Sequence, residues 1–537
     1  MIVGLVCVTT IASDLTHGGR PRDVFVAATV SIDQSPTTTA IADSDVYGMT
    51  QADVDKTMDT LRANNITAVR LLIPWAEVEP TQGALNWATV DKTVNSAASR
   101  NLAIVGVVNS TPRWAVGAGG RYLSSRPASP AAYGDFVAKF VARYPGKIAA
   151  VEIWNEPNAI SFYTPKPDPS GYVDLLKAAY PKVKAVDPSV VVLGGSMGSI
   201  TDVAGKAINP VAYLSQMYAA GARPYFDALT FHPYQYNLKF SEGVDVANSA
   251  ALQLIQMRQI MVANGDEPKK IWATAYGQPA SIDGAAKQNE FVADMLLKWQ
   301  ELPFAGPMFI YTSRDRKTGS SRSDETLGIY ETNWTPKAVQ QTVKAGASGA
   351  IAKSAEFQRF TTQTDPALGT VLSPVFKTKS GTWAQVRTVS TVYETQSGFI
   401  TSPNLVAIKA GLSAVVPTGP FSNGYQDFNT TNKLRVWYSE ATGAHSGAGH
   451  IAVAWVPELG LAITDETGDP TGTTMQFERG KITWTPWTGS NITWAPTFYA
   501  DDRPDDHSAD NDATTDNNSA ATRKSAGGGA EFGKRSA

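Results

Sequence analysis

Between residues 40 and 345, short runs of consecutive apolar and β-branched residues alternate with longer stretches whose apolar positions recur every three or four residues. Eight runs show the first pattern: TTTAIA, ITAVRLLI, LAIVGVVN, IAAVEIW, VVVLGG, FDALTF, KIWATA and PMFIYT. Hydrophobicity this continuous marks strands covered on both faces, as in a parallel sheet. The stretches TQADVDKTMDTLRANN, PAAYGDFVAKFVARY, GYVDLLKAAYPKVKAV, ANSAALQLIQMRQIMVANG and AAKQNEFVADMLLKWQE have the helical period, with Thr50 and Ser249 placed as N-caps. Eight βα units in about 300 residues predict an α/β fold, a (β/α)8 TIM barrel, over residues 37–350. The competing doubly wound sheet would want a glycine-rich phosphate loop after its first strand, and none is present.

Beyond residue 350 the texture changes to short strands rich in Thr, Gly and Trp, which predicts a smaller β-rich repeat domain over 370–498. Within it LRVWYSEATGAHSGAGHIAVAW is echoed by MQFERGKITWTPWTGS, with Trp437 and Trp484 as the corresponding residues. A spacing of this size signals a repeated structural unit. The tail, residues 501–537, lacks the apolar residues to fold and is expected to be disordered.

Composition narrows the function classes. Hydrophobic residues make up 43% and charged residues 18% of 537, and the net charge is −3 with Lys and Arg scattered, so no electrostatic footprint for nucleic acid exists. One cysteine, Cys7, excludes an intrachain disulfide framework, and no metal-ligand spacing such as HExxH occurs. No metal and no cofactor is expected. The N-terminal segment, residues 1–36, holds an apolar run too short to span a bilayer, either the remnant of an export signal or a frayed terminus. No transmembrane segment is expected elsewhere.

Catalytic groups of a TIM barrel stand at the carboxyl ends of its strands. Strand four ends in VEIWNEPN, bringing Trp154, Asn155 and Glu156 to the mouth, and strand six ends in TFHPYQY, adding His232 and Tyr234. Strand two contributes Arg70 and, just beyond it, Trp75; strand eight contributes Tyr311, followed by Arg314 and Asp315. An acid flanked by Asn, His, Tyr, Arg and indoles suits protonation of a sugar oxygen and stacking of a sugar ring.

EIWNEPN resembles the acid/base motif of the clan A retaining glycoside hydrolases, of the family 39 and family 5 types. The resemblance covers roughly residues 40–345 and takes in VRLLIPWAEVEP, NSTPRWA and the His-Pro-Tyr of strand six. It implies Glu156 as general acid/base and Asn155 as the ligand of the sugar 2-hydroxyl. It further implies Arg70 and Tyr234 as orienting residues for the nucleophile, His232, Trp75 and Trp114 as walls of the sugar subsite, and Tyr311 as a substrate contact. In the same families strand seven delivers a nucleophilic glutamate in a Thr-Glu-aromatic-Gly context. Here the sequence is ATAYGQP, and Ala275 holds that place. A methyl group neither attacks an anomeric carbon nor stabilises an oxocarbenium-like transition state, so the chain as written is expected to be impaired by several powers of ten. The pattern fits an engineered substitution or a natural loss. Glu77, Glu79, Asp315 and Glu331, on loops at the same end, are the candidates to activate water in its place.

The C-terminal repeats resemble degenerate copies of the LGFP repeat of actinobacterial cell-envelope proteins, although the Leu-Gly-Phe-Pro signature is absent. This implies a secreted or envelope-associated protein whose C-terminal module binds cell-wall glycan and whose barrel cleaves an envelope polysaccharide such as arabinogalactan. The alternative is a non-catalytic glycan-binding protein on a hydrolase fold.

Overall fold

The computed structural model describes residues 31–496. The expected disordered tail, Cys7 and all but the last residues of the N-terminal segment lie outside the described residues. Eight parallel strands close into a barrel: β1 (Thr39–Ala42), β2 (Ala68–Pro74), β3 (Ala103–Asn109), β4 (Ile148–Ile153), β5 (Val191–Gly198), β6 (Ala228–His232), β7 (Ile271–Tyr276) and β8 (Ala305–Tyr311). Closure is made by β8 against β1, with Ile41 opposite Ile310. All eight coincide with the apolar runs. Around them lie α1 (Gln51–Ala63), the single turn α2 (Trp75–Val78), α3 (Ala88–Ala98), α4 (Pro130–Arg143), α5 (Pro169–Val186), α6 (Pro210–Ala219), α7 (Ala250–Ala263), α8 (Gly284–Trp299) and α9 (Ala338–Ala347). Thr50 and Ser249 cap α1 and α7 by accepting from the amides of Asp53 and Leu252.

Side chains alternate across each strand, so every second residue fills the barrel interior. Ala40, Ala42, Ala68, Val105, Ala150, Leu193, Ala228, Trp272 and Phe309 form one buried cluster there. The same faces, followed toward the carboxyl ends, carry Arg70, Glu152, Thr274 and His232. The interior is thus apolar below and polar above, and the polar layer is the floor of the site.

The C-terminal region holds three antiparallel sheets. After α10 (Ala355–Phe360) the first comprises β9 (Phe376–Lys377), β10 (Trp383–Val386), β11 (Ser390–Thr395) and β12 (Gly398–Pro403), and is followed by α11 (Asn404–Ala410). The second comprises β13 (Tyr425–Phe428), β14 (Leu434–Ser439) and β15 (Gly443–Gly447), followed by α12 (Gly449–Ala454). The third comprises β16 (Thr467–Asp469), β17 (Gly472–Phe477), β18 (Gly480–Thr485) and β19 (Gly489–Trp494). Two hairpins in these sheets share a local geometry, but their correspondence is not set by the two tryptophans. Ser439 pairs with Gly443 as Thr485 pairs with Gly489, and in both hairpins the first hydroxyl binds the amide and hydroxyl of a threonine three residues on. Superposing these hairpins brings Tyr438, not Trp437, onto Trp484. A one-residue slip reverses the face of a strand; accordingly Trp437 is fully buried whereas Trp484 is half-buried and stacks on His450 at 4.4 Å.

No helix among the described residues is long and apolar enough to cross a membrane.

Candidate active site

The acid Glu156 sits just past β4, where the chain turns sharply. Trp154 and Glu156 both have left-handed backbone, at φ 67° and 46°. Such conformations are costly for residues with a Cβ and persist where surroundings enforce them. The enforcement comes from β5. Its pairing with β6 is irregular between Gly194 and Met197, Ser196 is itself at φ 48°, and the Ser196 carbonyl accepts the Glu156 amide at 2.9 Å. Bulges of this kind re-aim side chains at active sites. The turn leaves the Glu156 side chain partly exposed and its Oε1 2.9 Å from His232 Nδ1.

A cavity of about 310 Å³ opens there, lined by Arg70, Asn155, Glu156, His232, Tyr234, Ala275 and Tyr311, with Ser44, Leu72, Val107, Asn109, Phe162 and Arg316 completing the wall. This is within the range of small-molecule sites. Asn109, Asn155 and Phe162 also border a second hollow of about 200 Å³ lined by Ser110, Leu123, Ser124, Trp154 and Ser161, so the cleft continues over the loops after β3 and β4.

Trp75 and Trp114 stand elsewhere. Trp75 is fully buried at the start of α2 and donates to Glu79 Oε2 at 2.7 Å; Trp114 donates to the Glu79 carbonyl at 2.9 Å, and the two indoles meet edge to face at 5.3 Å. Neither lines the cavity; an indole so packed braces the loops after β2 and β3. Glu79 is occupied by these contacts and by the Gly83 amide. Asp315 is buried against Lys337 at 2.6 Å and the Gly328 amide. Neither Glu77 nor Glu331 lines the cavity, and among the described residues that do, Glu156 is the sole carboxyl group.

Sequence reasoning passed over Glu152 and Thr274. Arg70 Nε donates to Glu152 Oε2 at 2.5 Å, and Arg70 Nη2 to Asn155 Oδ1 at 2.9 Å. Thr274 donates to Glu152 Oε1 at 2.6 Å. Burial alone raises the Glu152 carboxyl, but Arg70, His232 and the Thr274 hydroxyl outweigh it and hold the group below its ordinary value. Glu152 is therefore an anion that neutralises Arg70. The available signal was its charge within an otherwise apolar strand: a carboxylate pointing into a barrel requires a cation there. Arg316 was likewise missed. It is bidentate to Asp45 at 2.7 Å and donates to the Tyr311 hydroxyl at 3.0 Å, tying the loop after β8 to that after β1. Burial pushes the phenols of Tyr234 and Tyr311 up, so both remain protonated hydrogen-bond donors.

Comparison with solved structures agrees with this architecture. A family 39 glycoside hydrolase from the gut symbiont Bacteroides cellulosilyticus WH2 matches with a TM-score of 0.50 at 16% identity, covering 77% of this chain and 79% of that one. A family 5, subfamily 18 protein from Streptomyces cattleya, in complex with GlcNAc, matches with a TM-score of 0.47 at 15% identity, covering 60% and 82%. At such identity the likeness is one of fold. No protein-family model matches the chain, and no curated protein matches it.

Proposed function

We propose that this protein is a glycosidase of the clan A retaining type in which Ala275 stands at the nucleophile's position. The observation that carries the reading is the cavity at the barrel mouth, which brings Glu156 and Ala275 onto one sugar-sized space together with Arg70, Asn155, His232, Tyr234 and Tyr311. Glu156 protonates the glycosidic oxygen, and the aglycone departs on its side of the bond. The Asn155 amide, its oxygen engaged by Arg70, presents its NH2 to a sugar hydroxyl. In the same cavity a methyl group, at Ala275, stands where the carboxylate that would form the glycosyl ester is expected. The adjoining hollow past Phe162 supports a substrate longer than one ring, and a polysaccharide of the actinobacterial envelope, arabinogalactan-like, is the proposed class. The C-terminal module would hold the enzyme on that polymer. Its second unit carries a solvent-facing cavity of about 520 Å³ lined by Asp427, Lys433, Arg435 and Trp455.

That Glu156 is the only carboxyl among the described lining residues favours one further reading, a glycan-binding protein without catalysis. Ala275→Glu separates the two. On envelope polysaccharides and aryl glycosides, the hydrolase reading expects restored turnover at least a thousandfold above the parent chain, and azide or formate to rescue the parent partially. An inert Ala275→Glu protein that still binds glycan would overturn it.

A further inference from the structure

The five polar groups under the cleft are linked in one unbroken run. Glu156 Oε1 lies 2.9 Å from His232 Nδ1, His232 Nε2 lies 3.0 Å from Thr274 Oγ1, and Thr274 Oγ1 lies 2.6 Å from Glu152 Oε1. Arg70 closes the far end on Glu152 Oε2 at 2.5 Å. The direction of each bond follows from what each group can donate.

Glu152 is a fully buried carboxylate held ionised by Arg70, so it only accepts. A hydroxyl has one proton, and the short contact to a charged oxygen takes it in preference to a neutral ring nitrogen at 3.0 Å. Thr274 therefore offers His232 a lone pair, and His232 Nε2 must carry a proton. Ser196 Oγ, 3.5 Å from the same nitrogen, is the more distant partner. With Nε2 already protonated, the 2.9 Å contact at the other nitrogen still needs a proton, because two facing lone pairs repel. Two arrangements satisfy it: a carboxylic acid donating to a neutral imidazole, or an imidazolium donating to a carboxylate. Both contain the same number of protons.

We infer that Glu152 and Thr274 are positioning residues that keep His232 protonated at Nε2, so that the Glu156–His232 pair holds one proton more than a carboxylate beside an Nδ1–H imidazole would. The inference rests on the reading of Glu156 as the acid. That extra proton is the one a glycosidic oxygen receives: the O–H bond to the leaving group forms as the proton leaves the pair. Donation leaves two lone pairs facing each other; in the Ala275→Glu protein, the proton lost by the water that cleaves the glycosyl ester at position 275 returns to them. The charged and titratable groups facing the pair among the described residues are Arg70 from β2, Glu152 from β4, Tyr234 and Tyr236 beyond β6, and Tyr311 and Arg316 from the β8 side. Each of the two anions, Glu152 and Asp45 beyond Arg316, has its own arginine.

The test is nitrogen-15 NMR of the histidine rings in the full-length chain, where only five histidines occur. At neutral pH His232 is expected to show a protonated Nε2; a neutral ring protonated at Nδ1 would overturn the inference. Thr274→Val, which keeps the shape and removes the acceptor, is expected to abolish the Nε2–H signal, and Thr274→Ser to retain it. An unchanged His232 spectrum in Thr274→Val would also overturn it, and should that variant not fold, the parent and Thr274→Ser spectra still decide. In the Ala275→Glu background, Thr274→Val is expected to lower kcat about tenfold with KM kept, and Thr274→Ser to restore it. If Ala275→Glu is inert, the hydrolase reading fails while the NMR result on His232 stands apart.

Discussion

Asp43, the residue after β1, shows what burial does to a single carboxyl. It is 1% exposed and accepts from the Ser313 hydroxyl and from the amides of Asp45 and Val46. Desolvation dominates these contacts and, with Asp45 nearby, raises its pKa from 3.8 to about 6. The folded chain therefore binds this proton more tightly than the unfolded one. Its stabilising effect is complete below about pH 4 and is lost as pH rises through 6, a change of about 3 kcal/mol. Asp43→Asn keeps the shape and the Oδ1 acceptor and removes the titration. Urea melts are expected to show the variant gaining about 2 kcal/mol of that on the parent between pH 4 and pH 7; a pH-independent difference would show that Asp43 does not titrate in that window. Nothing in the local sequence IADSDVYG distinguished Asp43 from Asp45, since only the fold buries one fully and leaves the other half-buried on Arg316.

At the scale of elements, β7 and β8 illustrate how interior filling constrains a barrel. Trp272 is fully buried inside, and a Cβ on Gly306 of β8 would come within 2.3 Å of its ring. The glycine is the space the indole occupies. Gly306→Ala is expected to cost about 1–3 kcal/mol, read as a lowered denaturant midpoint at constant m-value. Trp272→Leu in the same chain should recover part of that loss; no recovery would place the clash elsewhere. The strands themselves were legible because continuous apolar runs bounded by turns have few alternatives. The bulge in β5 was not, because its cause is the pairing with β6 and the need of the Glu156 amide for the Ser196 carbonyl.

For the molecule as a whole, the first C-terminal sheet is continuous with the barrel. Leu372, Phe376, Ala384, Val386, Tyr393 and Ala407 belong to the barrel's own hydrophobic cluster, while Trp437, Trp455, Met475, Phe477 and Ile482 form a separate one. Glu301, after α8, ties the parts together. It pairs with Lys298 at 2.9 Å and accepts the Val375 amide at 2.8 Å, both buried. Glu301→Ala strands an ammonium and an amide, and is expected to cost about 3–5 kcal/mol, with hydrogen exchange at β9–β11 accelerating along with that of α8. Exchange confined to β13–β19 would show that Glu301 does not join barrel and sheet.

The order of the eight strands, five of the helices around them, the barrel, the acid at the end of β4 and the alanine at the end of β7 were determined by the sequence itself, because periodicity and strand-end position are local properties. Which aromatics face the cleft, and which acid partners Arg70, were decided only by the closed barrel. Trp75 and Trp114 pack against Glu79 instead of lining the cavity, and Glu152 meets Arg70 and Thr274 across strands 82 and 122 residues away. Side-chain partnership of that kind depends on how eight strands are staggered around a common axis, which no window along the chain contains.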